Sequence, residues 1–333
     1  MIPETFCCYL VKKTGNNRIE GEIERCPTFD LPTGEVLVRV AYSSLNYKDA
    51  LAATGHPGVV RRFPHVPGID AAGTVVTSSS GGFRQGDEVL VTGYELGVER
   101  WGGWAEYVRV PAEWVLPRPA GLSLEETMIL GTAGLTAGLS VRALRQHDVM
   151  PESGEVVVTG ATGGVGTMAV RLLAKLGYSI VAVSGKQDKD AWVRQQGATR
   201  VVRREEMRDE SNEPLLPARW AGAVDTVGGA MLATLLRSMR NRGCVASCGS
   251  VGGAEVPITG CPFVLRGVTL AGIDSVWCSK PRREEIWNRL AGQWKRDDLT
   301  SIRTVIGLEE VGDYVPKILA GQITGRVVVD VSG

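Results

Sequence analysis

Short runs in which apolar and polar residues alternate fill the first third of the chain, with Gly and Pro between them. A period of two is typical of a strand that buries one face, and it predicts strands over residues 35–41, 74–76, 88–91 and 105–110. Strands as short and as frequent as these favour a small barrel or sandwich.

The pattern changes after residue 120. Ser123 followed by Glu126 matches a capping box and predicts that a helix begins there. Strands and helices then alternate, with strands expected over 155–159, 179–183, 200–202, 223–225, 244–246 and 268–273, and helices over 165–176 and 188–196. This alternation predicts a doubly wound parallel sheet. From about residue 300 the strand-rich pattern returns, around a helix expected over 311–319.

Two β-rich segments therefore enclose one α/β segment. We interpret residues 1–124 and 300–333 as one β-rich domain, and residues 125–299 as an α/β domain inserted into it. The length of 333 residues fits two domains, because a single core stops growing at about 250–300 residues.

Charge and composition narrow the class of protein. Lys plus Arg number 37 and Asp plus Glu number 37, so the formal net charge is zero. Nucleic-acid binders and polybasic membrane binders rely on a summed positive field, so neither class is expected. No apolar run approaches the ~18–20 residues of a membrane span, and the N-terminus lacks the order of a signal peptide. A cytoplasmic location is therefore expected.

The cysteines and histidines offer little metal chemistry. The seven cysteines include no Cys-x-x-Cys pair, and the three histidines are scattered singly. This spacing indicates neither a disulfide framework nor an imidazole metal site. We expect reduced, mostly buried thiols and no metal.

The most informative segment places Gly160, Gly163, Gly164 and Gly166 between a predicted strand and a predicted helix. Glycine allows a tight turn and lets backbone N–H groups approach a pyrophosphate, which the positive end of the helix dipole attracts. This context predicts a dinucleotide site, and the alternative is a structural turn without a ligand. Such turns explain part of the glycine content, which is 42 against roughly 23 expected at average usage.

The end of the second strand of this sheet distinguishes the two nicotinamide dinucleotides. NAD is bound there by an acidic residue that accepts hydrogen bonds from the ribose, whereas this chain has Ser184, Gly185 and Lys186. A hydroxyl, an accessible amide and an ammonium suit a 2′-phosphate, and Arg203 or Arg204 could add a guanidinium. The sequence therefore predicts NADPH, with a solvated basic surface as the alternative.

Several segments together resemble the medium-chain dehydrogenase/reductase superfamily: Asn46–Asp49, 67–73, 131–137 and the glycine turn. Segments 225–228, 262–266 and 272–276 narrow the resemblance to the branch of NADPH-dependent acrylyl-CoA reductases, which also contains proteins named quinone oxidoreductases. The resemblance spans essentially the whole chain. It implies a Rossmann-type domain, with a doubly wound parallel sheet, inserted in a GroES-like β-rich catalytic domain.

The resemblance also bears on metal use. Zinc alcohol dehydrogenases of the superfamily carry a Cys in the segment that matches Asn46, and a Gly-His-Glu where this chain has Gly68-Ile69-Asp70. Without thiolate and imidazole ligands a catalytic zinc is not expected. The implied chemistry is metal-free reduction of a C=C bond that a thioester or ketone already activates.

By resemblance, Tyr47 and Asn46 are the catalytic residues. The phenol of Tyr47 can donate a hydrogen bond or a proton and contact the nicotinamide, and the alternative is a packing role at the start of a helix. Asn46 would orient the substrate or a ribose. Lys48 and Asp49 could instead be an ordinary exposed pair.

The resemblance places cofactor contacts on the phosphate turn, around the 2′-phosphate and at the strand ends on the nicotinamide side. These residues are Tyr47; Thr162, Gly163, Gly164 and Val165; Ser184, Gly185, Lys186 and Arg204; and Ser250, Val264 and Ser275.

Two kinds of partner are expected. A CoA substrate would need cations for its phosphates, and Arg61, Arg62 and Arg100 are candidates, with solvated surface charges as the alternative. The apolar strand over 268–273 lies near the edge of the sheet, and in this superfamily such a strand commonly pairs across a two-fold axis. A homodimer is therefore expected.

Three functions are compatible with these features. The first is reduction of a small enoyl thioester, acrylyl-CoA to propionyl-CoA, by hydride transfer from NADPH to the β-carbon. The second keeps the fold but reduces quinones or enones. The third is a non-catalytic NADPH-binding protein. The resemblance favours the first.

Overall fold

The computed structural model describes residues 2–15 and 17–332, which form fifteen strands and eight α-helices. The strands are β1 Thr5–Lys13, β2 Ile19–Pro27, β3 Val36–Leu45, β4 Asp70–Ser78, β5 Glu88–Thr92, β6 Tyr107–Val110, β7 Leu116–Pro117, β8 Val156–Val158, β9 Ile180–Ser184, β10 Arg200–Arg203, β11 Trp220–Asp225, β12 Met239–Ser247, β13 Thr269–Gly272, β14 Arg303–Gly307 and β15 Arg326–Asp330. The helices are α1 Tyr47–Ala53, α2 Leu124–Gln146, α3 Gly164–Lys175, α4 Asp190–Gln195, α5 Gly229–Arg237, α6 Cys261–Arg266, α7 Lys280–Ala291 and α8 Val311–Leu319.

The chain separates into two compact units. The first comprises Met1–Thr132 and Val276–Gly333, and the second comprises Ala133–Ser275. Residues 125–132 and 276–299, which we expected in the α/β domain, belong to the first unit. These units are defined by compactness alone, and the domain boundaries expected at 124 and 300 stay a prediction. The first unit boundary falls beside a break in α2 at Gly131 rather than at the start of this helix.

The second unit contains a six-stranded parallel sheet in the order β10-β9-β8-β11-β12-β13. Counted along the unit this is the order 3-2-1-4-5-6 of a Rossmann fold, so the predicted doubly wound sheet is confirmed. Its central strands are buried on both faces, which explains their unbroken apolar runs such as Val156–Val158. The direction of winding reverses between β8 and β11, and ligands bind at the carboxyl ends of the strands at such a point.

The first unit contains a seven-stranded sheet with the path β14-β15-β3-β4-β5-β7, and β6 also pairs with β3. Its ladders are antiparallel except the one between β14 and β15. A separate hairpin, β1 with β2, packs through Phe6, Cys8 and Val11 on the same core. The pattern did not predict this hairpin, because Cys8–Val11 is a buried run without alternation and β2 is mostly polar.

Helix α2 corrects the expectation that no segment is long and apolar enough to span a membrane. By length and composition this 23-residue helix passes that test, and residues 127–141 carry no charged side chain. Of its most apolar 18-residue window, 83% is buried inside the protein, as in the core helix of a soluble protein. Its many Gly, Ala and Thr residues hide this length in the sequence. The predicted capping box is confirmed, since Glu126 N donates to Ser123 Oγ at 3.0 Å and Ser123 N to Glu126 Oε2 at 2.8 Å.

Candidate cofactor and active site

A tight glycine turn joins β8 to α3 in the second unit. Gly160 has a φ of 58°, the left-handed region that favours glycine, and its carbonyl accepts a hydrogen bond from Gly163 N at 2.9 Å. A Cβ on Gly166 would collide with that carbonyl, so the helix can approach the strand this closely only without a side chain. The first amides of α3, which include Gly164 and Val165, face the end of the turn, where a helix offers N–H groups and positive potential to an anion. Thr162 is nearly buried within the same turn.

Hydrogen bonds between the ends of β8 and β11 fix the residues from which this turn starts. Thr159 Oγ1 donates to Asp225 Oδ1 at 2.8 Å, and Thr226 N donates to Thr159 Oγ1 at 2.8 Å. Asp225 also accepts the backbone N–H of Gly228 at 3.0 Å. Burial raises the pKa of Asp225, and these hydrogen bonds oppose the rise. Sequence reasoning used Asp225 only as part of a motif, and the structure shows that it anchors the switch point of the sheet.

A second cluster of predicted residues lies at the end of the neighbouring strand β9. Ser184 is 3% exposed, and its Oγ accepts the backbone N–H of Lys186 at 3.0 Å. Because β10 pairs with β9 in the register Arg203 to Ser184, the residue after β10 comes beside Gly185. The Arg204 guanidinium lies 3.0 Å from where a Cβ on Gly185 would stand, so the absence of a side chain makes room for it. The structure thus brings Ser184, Gly185, Lys186 and Arg204 together.

The two arginines that follow β10 have different surroundings. Arg203 forms a bidentate ion pair with Asp190, with N–O distances of 2.8 and 2.6 Å. Arg204 is exposed, and no hydrogen bond or ion pair holds its guanidinium within residues 2–15 and 17–332. The sequence offered either arginine as a guanidinium for a ligand, and the structure leaves Arg204 for that role.

Lys186 adds a second cation to this cluster. Burial lowers the pKa of its ammonium, and the nearby Asp188 opposes the shift. Asp188 itself forms an ion pair, in which its Oδ2 lies 3.0 Å from Lys189 Nζ. A serine hydroxyl, two cations and an open backbone have the chemistry that binding of a phosphate dianion requires, whereas a ribose diol would need an acceptor carboxylate at this place.

The three remaining predicted residues of the second unit have separate surroundings. Ser250 is exposed in the loop after β12, and its carbonyl accepts Gly253 N at 3.0 Å. Ser275 is 8% exposed, and its hydroxyl accepts a hydrogen bond from Thr136 Oγ1 at 2.8 Å. Val264 lies on α6 and is 83% exposed.

Asn46 and Tyr47 lie in the first unit, at the start of α1. Asn46 caps this helix, and its backbone N–H donates to Asp49 Oδ2 at 2.7 Å. Its side-chain Nδ2 donates to Asp70 Oδ2 at 2.9 Å, while its Oδ1 accepts from Arg326 Nη1 at 3.1 Å. Both ends of the Asn46 amide are therefore engaged by the protein. This arrangement favours a positioning role over the contact with substrate or ribose that the sequence suggested.

Tyr47 is the first residue of α1 and is 40% exposed. The residue is therefore partly accessible to solvent, which a purely packing role would not require. The alternative that Lys48 and Asp49 form an exposed pair is wrong for Asp49, which is fully buried. The cause is that Asp49 turns inward to accept the backbone N–H groups of Asn46 and Ile69.

Asp49 and Asp70 are two buried carboxylates beside one buried guanidinium, that of Arg326. Burial and the charge of Asp70 raise the pKa of Asp49 to about 7, while hydrogen bonds from Ile69 and Asn46 oppose the shift. Burial lowers the pKa of Arg326, and the two carboxylates oppose that change.

The same charges hold a break in α2. Gly131 has φ 50° and ψ −153°, so the helix is interrupted there. Thr132, which opens the second half, donates its N–H to Asp70 Oδ1 at 3.0 Å and its hydroxyl at 2.6 Å. Arg326 Nε donates to the carbonyl of Ile129 at 2.8 Å, at the end of the first half. A Cβ at Gly131 would stand 2.5 Å from Asp70 Oδ2, so only glycine fits. Sequence reasoning missed this network because its members lie far apart along the chain.

Comparisons with known proteins match both units. Two family models align with the chain: the alcohol dehydrogenase GroES-like domain over residues 32–120 and the zinc-binding dehydrogenase family over residues 164–291. Acrylyl-CoA reductase AcuI of Ruegeria pomeroyi is 44% identical over 96% of this chain and 97% of its own. YhfP of Bacillus subtilis, named a quinone oxidoreductase, is 48% identical over 92% of this chain and 93% of its own.

Solved structures agree. YhfP with NAD bound has a TM-score of 0.95 at 45% identity and covers 99% of this chain and 100% of that chain. The yhdH oxidoreductase of Salmonella enterica in complex with NADP has a TM-score of 0.94 at 44% identity and covers 97% and 99% of the two chains. The chain therefore belongs to the medium-chain dehydrogenase/reductase superfamily of oxidoreductases. The resemblance and the fold class inferred from the sequence are both confirmed.

The residues do not fit the zinc that the second family model names. Asn46 offers an amide and Ile69 a hydrocarbon, and a guanidinium nitrogen of Arg326 lies 3.1 Å from the Asn46 oxygen. Within residues 2–15 and 17–332 no three His, Cys, Asp or Glu side chains are grouped to hold a metal ion.

Asp49 makes stability depend on pH in a defined direction. Its pKa is about 7 in the folded protein against an ordinary value of 3.8, so the folded state holds the proton more tightly. Its contribution to stability is present below about pH 4 and is lost as the pH rises to about 7. Asp49→Asn has no proton to lose but loses an acceptor, and we expect a lower Tm than wild type at pH 5. This Tm difference should shrink by several degrees between pH 5 and pH 8. The corresponding change in the difference of unfolding free energy is on the order of a few kcal/mol.

Calorimetric melting at unit steps of pH measures this difference directly. Groups that titrate alike in both proteins cancel in the comparison. Asp30→Asn, at an exposed carboxylate, is the matched control and should melt in parallel with wild type. Parallel curves for Asp49→Asn would contradict the buried, raised-pKa carboxyl.

Proposed function

We propose that the protein is an NADPH-dependent reductase of an activated C=C bond, with acrylyl-CoA as substrate and propionyl-CoA as product. The observation that carries the proposal is the cluster of Ser184, Lys186 and Arg204 beside the glycine turn, which has the chemistry of a 2′-phosphate site. The relative named acrylyl-CoA reductase supports the substrate. The mostly buried, free thiols of this chain suit a reduced, cytoplasmic protein.

The second unit would hold the dinucleotide. The turn from Gly160 to Val165 would offer backbone N–H groups to the pyrophosphate. Side chains at Gly160 and Gly166 would collide with Thr226 Oγ1 and with the carbonyl of Gly160, so this turn requires glycine at both places. Lys186 and Arg204 would neutralise the 2′-phosphate. When bound, the nicotinamide supplies a hydride to the β-carbon of the acceptor.

The first unit would serve the substrate through Tyr47. Reduction at the β-carbon leaves negative charge on the carbonyl oxygen and requires a proton at the neighbouring carbon. A phenol can donate a hydrogen bond to such an oxygen or pass a proton. Asn46 and Asp49 fix the first turn of α1 and thereby the position from which Tyr47 acts.

The cofactor assignment makes a quantitative prediction. Arg204→Ala and Lys186→Ala each remove a charged hydrogen-bond donor, which contributes roughly 1.5–3 kcal/mol. We expect the KM for NADPH to rise about 10–100-fold in each variant while the KM for NADH stays within about twofold. Arg203→Ala is the matched control, because Arg203 pairs with Asp190. It should leave the ratio of the two KM values unchanged, and equal effects on both cofactors in the first two variants would refute the site.

The reaction is tested by following NADPH oxidation at 340 nm with acrylyl-CoA and with 1,4-benzoquinone. We expect turnover of acrylyl-CoA, and we expect Tyr47→Phe to lower kcat about 10²–10⁴-fold, the usual contribution of a positioned acid. The NADPH dissociation constant should stay unchanged in this variant. The quinone is included because a close relative is named a quinone oxidoreductase.

Each alternative has its own outcome in this experiment. A higher kcat/KM for the quinone than for acrylyl-CoA would make quinone reduction the principal activity. Tight NADPH binding without turnover of either acceptor would indicate a non-catalytic NADPH-binding protein.

We also propose that the protein is a homodimer through the edge strand β13. Among the described residues this strand pairs with β12 on one side and ends the sheet on the other, and Leu270 on it is 40% exposed. Val264 and Leu265 of α6, the helix that precedes β13 in the chain, are 83% and 65% exposed and add apolar surface in the same part of the sequence.

A charge on this edge should separate the subunits. We expect wild type to elute as a dimer and Leu270→Lys to shift toward the monomer by light scattering at micromolar concentration. Val305→Lys is the matched control, because Val305 is 43% exposed on β14, the edge strand of the other sheet. A wild-type monomer, or a Leu270→Lys dimer as stable as wild type, would overturn the proposal.

A further inference from the structure

A cluster of aromatic rings lies beside the end of β5 in the first unit. Tyr94 stacks on Trp114 with ring centroids 5.2 Å apart and planes 3° apart. Trp277 meets Tyr94 in an edge-to-face contact, with centroids 6.1 Å apart and planes at 80°. We call Tyr94, Trp114 and Trp277 the aromatic platform. The guanidinium of the buried Arg283 lies 4.4 Å from the Tyr94 ring centroid and supports it.

The platform is held in a strained but well-determined position. Tyr94 has a φ of 54°, a conformation that a bulky residue adopts rarely. Its backbone N–H donates to Val276 O at 3.2 Å, and Arg283 joins Thr92 O at 2.7 Å to Val276 O at 3.0 Å. Strain of this kind persists only where the surroundings determine the conformation, and it concentrates at sites of function.

Trp277 is the exposed member of the platform, with 60% of its surface accessible. A large aromatic side chain held rigidly and exposed offers a flat face on which another planar π system can stack. Trp277 follows Ser275 by two residues, so their Cα atoms lie within about 7 Å of each other. Ser275 is one of the residues expected on the nicotinamide side, and the platform therefore lies along the chain next to the expected reaction site.

We propose that Trp277 is a specificity-determining residue whose indole face stacks on the ring of a planar quinonoid acceptor. Acrylyl-CoA presents only a three-carbon acyl group to the same place, so the platform contributes little to its binding. Ring acceptors thereby form a second substrate class of the same site. This inference rests on the proposed function in two respects: the protein is an NADPH-dependent reductase, and Ser275 lies on the nicotinamide side.

Kinetics with both acceptors test the proposal. The ring substrate is 2,3-dimethyl-1,4-naphthoquinone, whose blocked ring carbons do not alkylate thiols. Trp277→Ala should lower its kcat/KM about tenfold, the scale of one aromatic stacking contact, and should lower that of acrylyl-CoA less than about threefold. Trp277→Phe, which keeps a ring, should regain most of the loss. Phe29→Ala is the matched control, since Phe29 is 82% exposed in a surface turn of the same unit and should change neither value.

A binding measurement separates this inference from the proposed function. The same naphthoquinone is titrated calorimetrically into protein loaded with NADP⁺, which cannot reduce it. We expect Trp277→Ala to weaken the dissociation constant about tenfold relative to wild type. If wild type reduces neither acceptor, the proposed function fails, and the titration still decides on the platform. Unchanged ring binding, or equal kinetic losses for both acceptors, would overturn the role of Trp277.

Discussion

Two buried opposite charges, those of Asp70 and Arg326, allow helix α2 to break at Gly131. At the break the N–H of Thr132 donates to the Asp70 carboxylate, and the carbonyl of Ile129 accepts from the Arg326 guanidinium. Neither charge would be stable alone in this place, because an unpaired buried ion costs several kcal/mol. The two therefore depend on each other.

The same pair determines how the segment that begins with Asn46 and Tyr47 is held. Asn46 lies between Asp70 and Arg326, and its amide suits that place because it donates to the carboxylate and accepts from the guanidinium. A thiolate here, as in the zinc enzymes of the superfamily, would add another negative charge beside Asp49 and Asp70. The neutral amide of Asn46 therefore fits between these charges without adding another. In the second unit the buried carboxylate of Asp225 is stabilised by uncharged groups instead, because hydroxyls and backbone amides donate hydrogen bonds to it.

Local pattern was sufficient for much of the fold. The helix expected over 311–319 is α8, and the capping box at Ser123 begins α2, because both depend on residues within a few positions of each other. The glycine turn was likewise visible, since strand, glycines and helix are contiguous. The burial of Asp49 was not visible, because its partner Ile69 lies on another segment and a Lys-Asp sequence is the same inside or outside. The break in α2 was not predicted for the same reason, because Asp70 and Arg326 lie far from Gly131 along the chain.

The cofactor site shows how selectivity can arise in a protein of zero net charge. Arg203 and Arg204 are chemically identical neighbours, and the strand register directs one to Asp190 and the other to Gly185. Arg203 contributes little to the attraction of an anion, because its ion pair with Asp190 presents little net field to a third charge. The second keeps its full charge next to Ser184, where the field matters for a dianion. Composition counts both arginines equally, and the resemblance names Arg204. The fold adds the physical distinction, because of these two arginines it is Arg203 that Asp190 pairs.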